Sequence, residues 1–230
     1  KQYKVKEARR DTMGYNVAID GPAGAGKSTI AKIVAKELGF IYVDTGAMYR
    51  TMALACYRAG IKAEEEEKVV EKCNAVKVTL GYEDGTQKVY LDGEDVSTEI
   101  RQEVIGNMTS AIAVYGPVRK ILVAMQQEIA KNNDVVMDGR DIGTSVLPNA
   151  DLKIYLTASS RTRAERRYKE LTQKGENCNI DDIENDIKER DYRDMHREVS
   201  PLSQAEDAVL VDSSDMSIDE VVAEIKKLAK

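Results

Sequence analysis

Residues 16–38, NVAIDGPAGAGKSTIAKIVAKEL, decide the fold. An apolar run at 16–20 enters a glycine-rich turn, and apolar side chains then recur at helical spacing over residues 29–38 until Gly39 supplies a C-cap. Strand, loop and helix are the context that Gly21, Pro22, Ala23, Gly24, Ala25, Gly26, Lys27 and Ser28 need, and these residues match G-x-x-x-x-G-K-[ST] in full. The glycines let successive backbone N–H groups turn inward around phosphate oxygens. The helix N-terminus, opened by Ser28 and Thr29, adds its positive dipole, and Lys27 brings a charge to the β and γ phosphates. Ser28 offers its hydroxyl to Mg2+. The motif G-x-G-x-x-G is absent, which removes the dinucleotide cofactors.

The same alternation continues outward. Residues 40–43 read as a second strand and 47–58 as a helix ending near Gly60. The acidic run 64–67 reads as a solvated face at a helix N-terminus rather than a metal site. At Val76 the character changes. Val76, Val78 and Leu80 alternate, and Asp84-Gly85 and Asp92-Gly93 turn the chain on either side of 89–91, which makes a small antiparallel insertion. Helical patterns resume at Thr98; Pro117 suits a helix start, and Asn132-Asn133 stops it before the apolar strand 135–137. Residues 153–156 form another short strand, and Ser159-Ser160 cap a basic helix over 161–171. Asp181 with Glu184 has the form of a capping box for the next helix, which Pro201 blocks, and after an apolar strand at 208–211 Ser217 with Glu220 caps the last helix. Parallel neighbours need crossover helices, so the class is α/β with a parallel sheet and a β-rich insertion.

Composition bounds the function. The length of 230 residues allows one core with an insertion. No apolar run reaches the roughly 18 residues of a membrane span. The net charge of -6 argues against binding a nucleic acid polymer, which needs excess Lys and Arg. Cys56, Cys73 and Cys178 are odd in number and lack Cys-x-x-Cys spacing, so they suit a reducing cytoplasm better than a disulfide framework or a zinc site. Residues 1–12 are basic without an apolar segment of signal-peptide length; they read as a disordered or added tail ahead of Met13, with one domain over 13–230.

The apolar run at 135–137 ends at Asp138, which reads either as a carboxylate holding hydrated Mg2+ or as a cap on the turn that follows. Arg140 and Asp141 come next, at a strand end where ligands of open α/β sheets sit. Arg161, Arg163, Arg166, Arg167 and Lys169 lie on one helix, with Arg163, Arg166 and Arg167 on one face. Beside a phosphate loop, that basic segment reads as one that closes over a triphosphate. Arg190, Asp194 and Arg197 share a face of the next helix. His196, the only histidine, has no nucleophile at a recognisable spacing and reads as a surface residue.

From about Met13 the chain resembles the bacterial cytidylate kinase family. The resemblance rests on 19–29, on Asp44-Thr45-Gly46-Ala47-Met48-Tyr49-Arg50, on the hairpin insertion, on Asp138-Gly139-Arg140-Asp141 and on 187–202. It implies a P-loop nucleoside monophosphate kinase core, with a nucleotide-binding insertion at about 62–115 and a mobile helical lid at about 159–180. The implied reaction takes ATP and CMP or dCMP to ADP and CDP or dCDP. It further implies that Arg50, Arg140 and Arg197 hold the CMP phosphate, that Arg190 and Asp194 meet the ribose, and that Ser110, Arg119 and Asp141 read cytosine with Thr45 nearby. Lys27, Arg163, Arg140 and Arg197 are then the catalytic cations, and Arg163 belongs to the lid.

Phosphoryl transfer demands positioning and charge neutralisation more than covalent help. A phosphate acceptor with a second pKa near 6 is ionised at pH 7 and needs no general base, whereas a shikimate-type alcohol needs one. UMP and such an alcohol are the alternative acceptors. A guanine-reading switch is disfavoured by the lack of Asn-Lys-x-Asp, and a monomer is expected.

Overall fold

A computed structural model of the chain describes residues 14–83 and 86–229. In order, the first elements are β1 (Asn16–Asp20), α1 (Lys27–Leu38), β2 (Ile41–Asp44), α2 (Thr45–Arg58), α3 (Glu66–Ala75), β3 (Val78–Glu83), β4 (Thr86–Leu91) and β5 (Glu94–Asp95). A 3-10 turn (Glu99–Arg101), α4 (Glu103–Ile112), α5 (Gly116–Lys131), β6 (Val135–Asp138) and a π-helical turn (Ile142–Val146) follow. The last are β7 (Leu152–Thr157), α6 (Ser160–Gln173), α7 (Ile180–His196), β8 (Val209–Asp212) and α8 (Ile218–Leu228). The described residues up to Tyr42 and from Asn133 onward form one compact unit, and Val43–Asn132 form the other.

The first unit is organised on a sheet of order β2-β6-β1-β7-β8, parallel at β1–β6, β1–β7 and β7–β8. β1 lies in the middle because Val17, Ala18 and Ile19 are apolar on both faces, as a strand covered on both sides must be. Its core joins Val17 and Ile19 to Ile30 and Val34 of α1, Ile154 of β7 and Ile225 of α8. Register sets Ile19 level with Asp138, so β1 and β6 end side by side and deliver Asp20 and Asp138 to the same rim. β8 is an edge strand: Val209 and Leu210 are exposed and only Val211 is buried, so the apolar run 208–211 marks less burial than its hydropathy suggests.

The second unit contains the antiparallel sheet β3-β4-β5 and packs α2 against α4. The fold is therefore α/β with a parallel sheet and a separate small antiparallel one. The expected turn at Asp84-Gly85 and the readings of residues 1–12 and Met13 lie outside the described residues. Among those described, no helix is long and apolar enough to cross a membrane.

Several local expectations are corrected. α2 starts at Thr45 rather than 47, because the buried Asp44 side chain accepts from the Ala47 N–H at 2.8 Å and caps the helix earlier. The cap of α7 is Asn179, whose side chain accepts from the N–H groups of Asp181 and Asp182; Asp181 and Glu184 form no capping box and face α6 instead. α7 ends at His196, and Arg197 is extended at ψ 143, so Arg197 does not share a helical face with Arg190 and Asp194. Ser217 and Glu220 do form the reciprocal capping box that opens α8.

Candidate active site

The loop between β1 and α1 is built to receive an anion. Gly24 and Gly26 have φ of 76° and 85°, a region that side chains with a Cβ avoid. Gly26 caps α1 without a side-chain hydrogen bond, and no acidic residue stands in the first turn, so neither a capping side chain nor a carboxylate of α1's own first turn competes for an incoming anion. Lys27 is buried and donates Nζ to the Pro22 carbonyl at 2.6 Å, which curls the loop on itself. Burial and the neighbouring Arg140 push its ammonium well below the ordinary lysine value, against the pull of Asp138, Asp20 and Asp194. An anion beside Lys27 would favour its charged form, as those carboxylates do.

Ser28 donates its hydroxyl to Asp138 Oδ2 at 2.8 Å, and Tyr42 donates to Asp138 Oδ1 at 2.8 Å. Asp138 is buried at the end of β6. Two hard oxygens from the protein suit Mg2+, which keeps several waters and takes the rest of its ligands from phosphates. Among the described residues there is no group of three or more His, Cys, Asp or Glu able to hold a metal ion.

Further cations of this unit stand in carboxylate pairs. Arg140, just past β6, donates Nε to Asp194 of α7 at 2.9 Å. Arg197 places Nη2 3.5 Å from Asp141 Oδ1 and donates Nε to the Ser200 carbonyl. Arg197 thus reaches Asp141 from the extended segment that follows α7. Arg190 is an exposed residue of α7. His196 is also exposed and stacks on Tyr192.

The basic helix α6 differs from a uniform cationic face. Arg163 is buried and donates to the carbonyls of Ala158 and Ala23 at 2.9 Å each and to Asp191 Oδ2 at 2.6 Å. Ala23 belongs to the phosphate loop, so Arg163 already grips that loop by its backbone. The second oxygen of Asp191 is buried without a hydrogen-bond partner. Arg166 turns to the Ser213 carbonyl at 2.7 Å, and Arg167 pairs with Glu170 on the surface. The three arginines therefore do three different things.

In the second unit the expected residues also cluster. Arg50 of α2 donates to the Ile100 carbonyl at 3.0 Å, and a Cβ added to Gly106 of α4 would lie 3.2 Å from its guanidinium. Ser110, one turn further along α4, donates to the Gly106 carbonyl. Arg119 of α5 is buried and sits over the Tyr49 ring, 5.6 Å from its centroid. Thr45 is buried at the start of α2. Burial and the nearby Arg101 lower the Arg50 guanidinium from its ordinary value. Arg101, which bonds the buried Asp44 at 2.9 Å, was not singled out from the sequence; nor were Tyr42, Asp20 and Asp191, whose partners lie far along the chain.

A family model described as Cytidylate kinase matches residues 17–230. A protein named cytidylate kinase from Leuconostoc mesenteroides is 50% identical over 214 residues, covering 93% of this chain and 96% of that protein. One of the same name from Caldicellulosiruptor bescii is 50% identical over 213 residues, covering 93% and 94%. Among solved structures, an uncharacterized protein from Eubacterium ventriosum matches with a TM-score of 0.50 at 12% identity, covering 94% of this chain and 98% of that one, which is a likeness of fold alone.

Proposed function

The chain belongs to the cytidylate kinase family and phosphorylates CMP with ATP, and from that premise we propose how its residues divide the work. Residues 21–29 cradle the ATP phosphates, with Lys27 on the transferring end. The observation that carries this reading is the phosphate loop itself, with α1 free of a side-chain cap and Lys27 buried at its mouth. Ser28 and Asp138 hold Mg2+, which supplies charge neutralisation to the triphosphate.

Arg50, Arg140 and Arg197 take the acceptor phosphate, Arg190 and Asp194 the sugar, and Ser110, Arg119 and Asp141 the cytosine, with Thr45 beside them. Bidentate guanidinium contacts offset the repulsion between two anionic substrates. The acceptor phosphate, already ionised, attacks without a base, and Lys27, Arg140, Arg197 and Arg163 neutralise charge that develops on the transferring group. Arg163 acts from a lid at about 159–180, and residues at about 62–115 form the nucleotide-binding insertion. Acceptance of dCMP, a monomeric state and a cytoplasmic setting belong to the same reading.

The test is ADP release in a coupled assay over CMP, dCMP, UMP, AMP and shikimate. Saturable release with CMP and dCMP at efficiencies well above the other acceptors is expected; release that saturates only with shikimate or UMP overturns the assignment.

A further inference from the structure

Asp20 is the last residue of β1, is 5% exposed, and has no part in the division of labour above. Its carboxylate makes a two-pronged contact across 122 residues of sequence: Oδ1 accepts the N–H of Ile142 at 2.7 Å, and Oδ2 accepts that of Gly143, also at 2.7 Å. Those two peptides directly follow Asp141. Asp141 itself has φ -145° and ψ 28°, neither helical nor extended, and its carbonyl accepts from Ser145 and Val146 to start the π-helical turn. Such single π turns recur at functional sites. Gly143 leaves room for the contact, since a Cβ there would come within 3.3 Å of Asp20 Oδ2 and 3.1 Å of Lys153 Cδ.

Holding both N–H groups at once fixes two consecutive peptide planes, so the Asp141 backbone cannot pivot about its junction with the turn. We infer that Asp20 is a positioning residue that holds Asp141 in register for reading the base of the acceptor, a role that rests on Asp141 being the base reader. An isolated need to satisfy two buried N–H groups does not explain the choice of a charge. Burial pushes the Asp20 carboxyl up to about 6 despite both hydrogen bonds, so this ion is kept where it is costly. The charge of Asp141 adds to that upward push.

Efficiencies for CMP and UMP measured on wild type, Asp20→Asn, Asp141→Ala and the double variant test the role. The amide turns one N–H against another in place of a carboxylate oxygen, so the CMP-to-UMP ratio is expected to fall about tenfold, as one lost buried hydrogen bond implies. KM for CMP is expected to rise more than KM for ATP. Because Asp20 acts through Asp141, the double variant should show no further fall below Asp141→Ala. Equal losses for CMP and UMP, or losses that multiply in the double variant, overturn the inference. If Asp141→Ala alone leaves the ratio unchanged, the base-reading role of Asp141 fails as well; if it collapses the ratio while Asp20→Asn does not, only the positioning role fails. Should Asp20→Asn not fold, Gly143→Ala displaces the same N–H with the charge intact, and an unchanged ratio in that variant is equally decisive against it.

Discussion

Arg163 carries two loads that one experiment can separate. Replacing it with Met keeps the apolar stem but removes the donors to Ala23, Ala158 and Asp191. Asp191 then stays partly buried with no cation, its other oxygen already without a partner. Truncating one member of a buried pair costs about 3–5 kcal/mol, and the 13% exposure of the Asp191 side chain argues for the lower end, about 3 kcal/mol. For a chain of this size that is a fall in Tm of about 6–12 °C. Removing both charges, as in Arg163→Met with Asp191→Leu, takes away the stranded carboxylate and should return the chain to within about 1 kcal/mol of wild type. Turnover should not return with it: kcat is expected to stay depressed in both variants while KM for CMP moves little, as for a group that acts when the site closes. Unfolding followed by circular dichroism and initial rates on the three proteins give both readouts. A single variant as stable as wild type, or a double variant as unstable as the single, refutes the energetic argument; a double variant with wild-type turnover removes Arg163 from the reaction.

Lys27→Ala should lower kcat by about 10²–10³-fold or more at saturating ATP while its unfolding free energy in urea shifts by less than about 1 kcal/mol, since the buried ammonium is held at a desolvation cost; near-native turnover contradicts its role. Asp138→Asn should raise the Mg2+ concentration needed for half-maximal rate by about tenfold, and an unchanged requirement assigns Asp138 only to holding Ser28 and Tyr42. Burial lifts Asp20 from 3.8 to about 6, so between those values the folded chain keeps a proton that the unfolded chain has released, and stability falls as pH rises through that window. The gap between wild type and Asp20→Asn in denaturant melts should therefore move in the variant's favour by up to about 3 kcal/mol from pH 4 to pH 7, at about 1.4 kcal/mol per tenfold change; a flat difference shows that Asp20 titrates normally.

What the sequence makes legible is whatever is encoded within one turn or one strand. The phosphate loop, the short apolar strands and the Ser217 box depend on neighbours a few residues away, and their patterns suffice. The failures are cases in which two local solutions compete. Asp181 and Glu184 have capping-box spacing, yet Asn179 lies two residues earlier with an amide oxygen in reach of two N–H groups, and Glu184 is more useful to Ser160, Arg161 and Lys188. Helical periodicity carries Arg197 onto a face with Asp194 because the local stop, Pro201, lies beyond it; the chain turns extended at Arg197 and returns through Ser200 at a φ of 49°, a conformation no hydropathy pattern announces. Invisible altogether are pairings such as Asp20 with Ile142, Tyr42 with Asp138 and Arg163 with Ala23, since register between distant strands decides them.

Those distant pairings also bear on how an acidic chain binds two anions. Arg140 and Arg197 are part-buried, and a desolvated guanidinium without a counter-charge would be expensive, so each stands beside a carboxylate, Asp194 and Asp141. An incoming phosphate that draws both arginines away must leave those carboxylates to other donors. On the proposed assignment the sugar hydroxyls meet Asp194 and the exocyclic amino group of cytosine meets Asp141. A bare phosphate can make the first half of this exchange only, whereas a whole cytidine nucleotide makes both, so acceptor selectivity arises from the need to re-satisfy the carboxylates as much as from attraction to the arginines. Uracil, which presents a carbonyl where cytosine presents the amino group, leaves Asp141 facing an acceptor and stands closer to the bare phosphate in this respect.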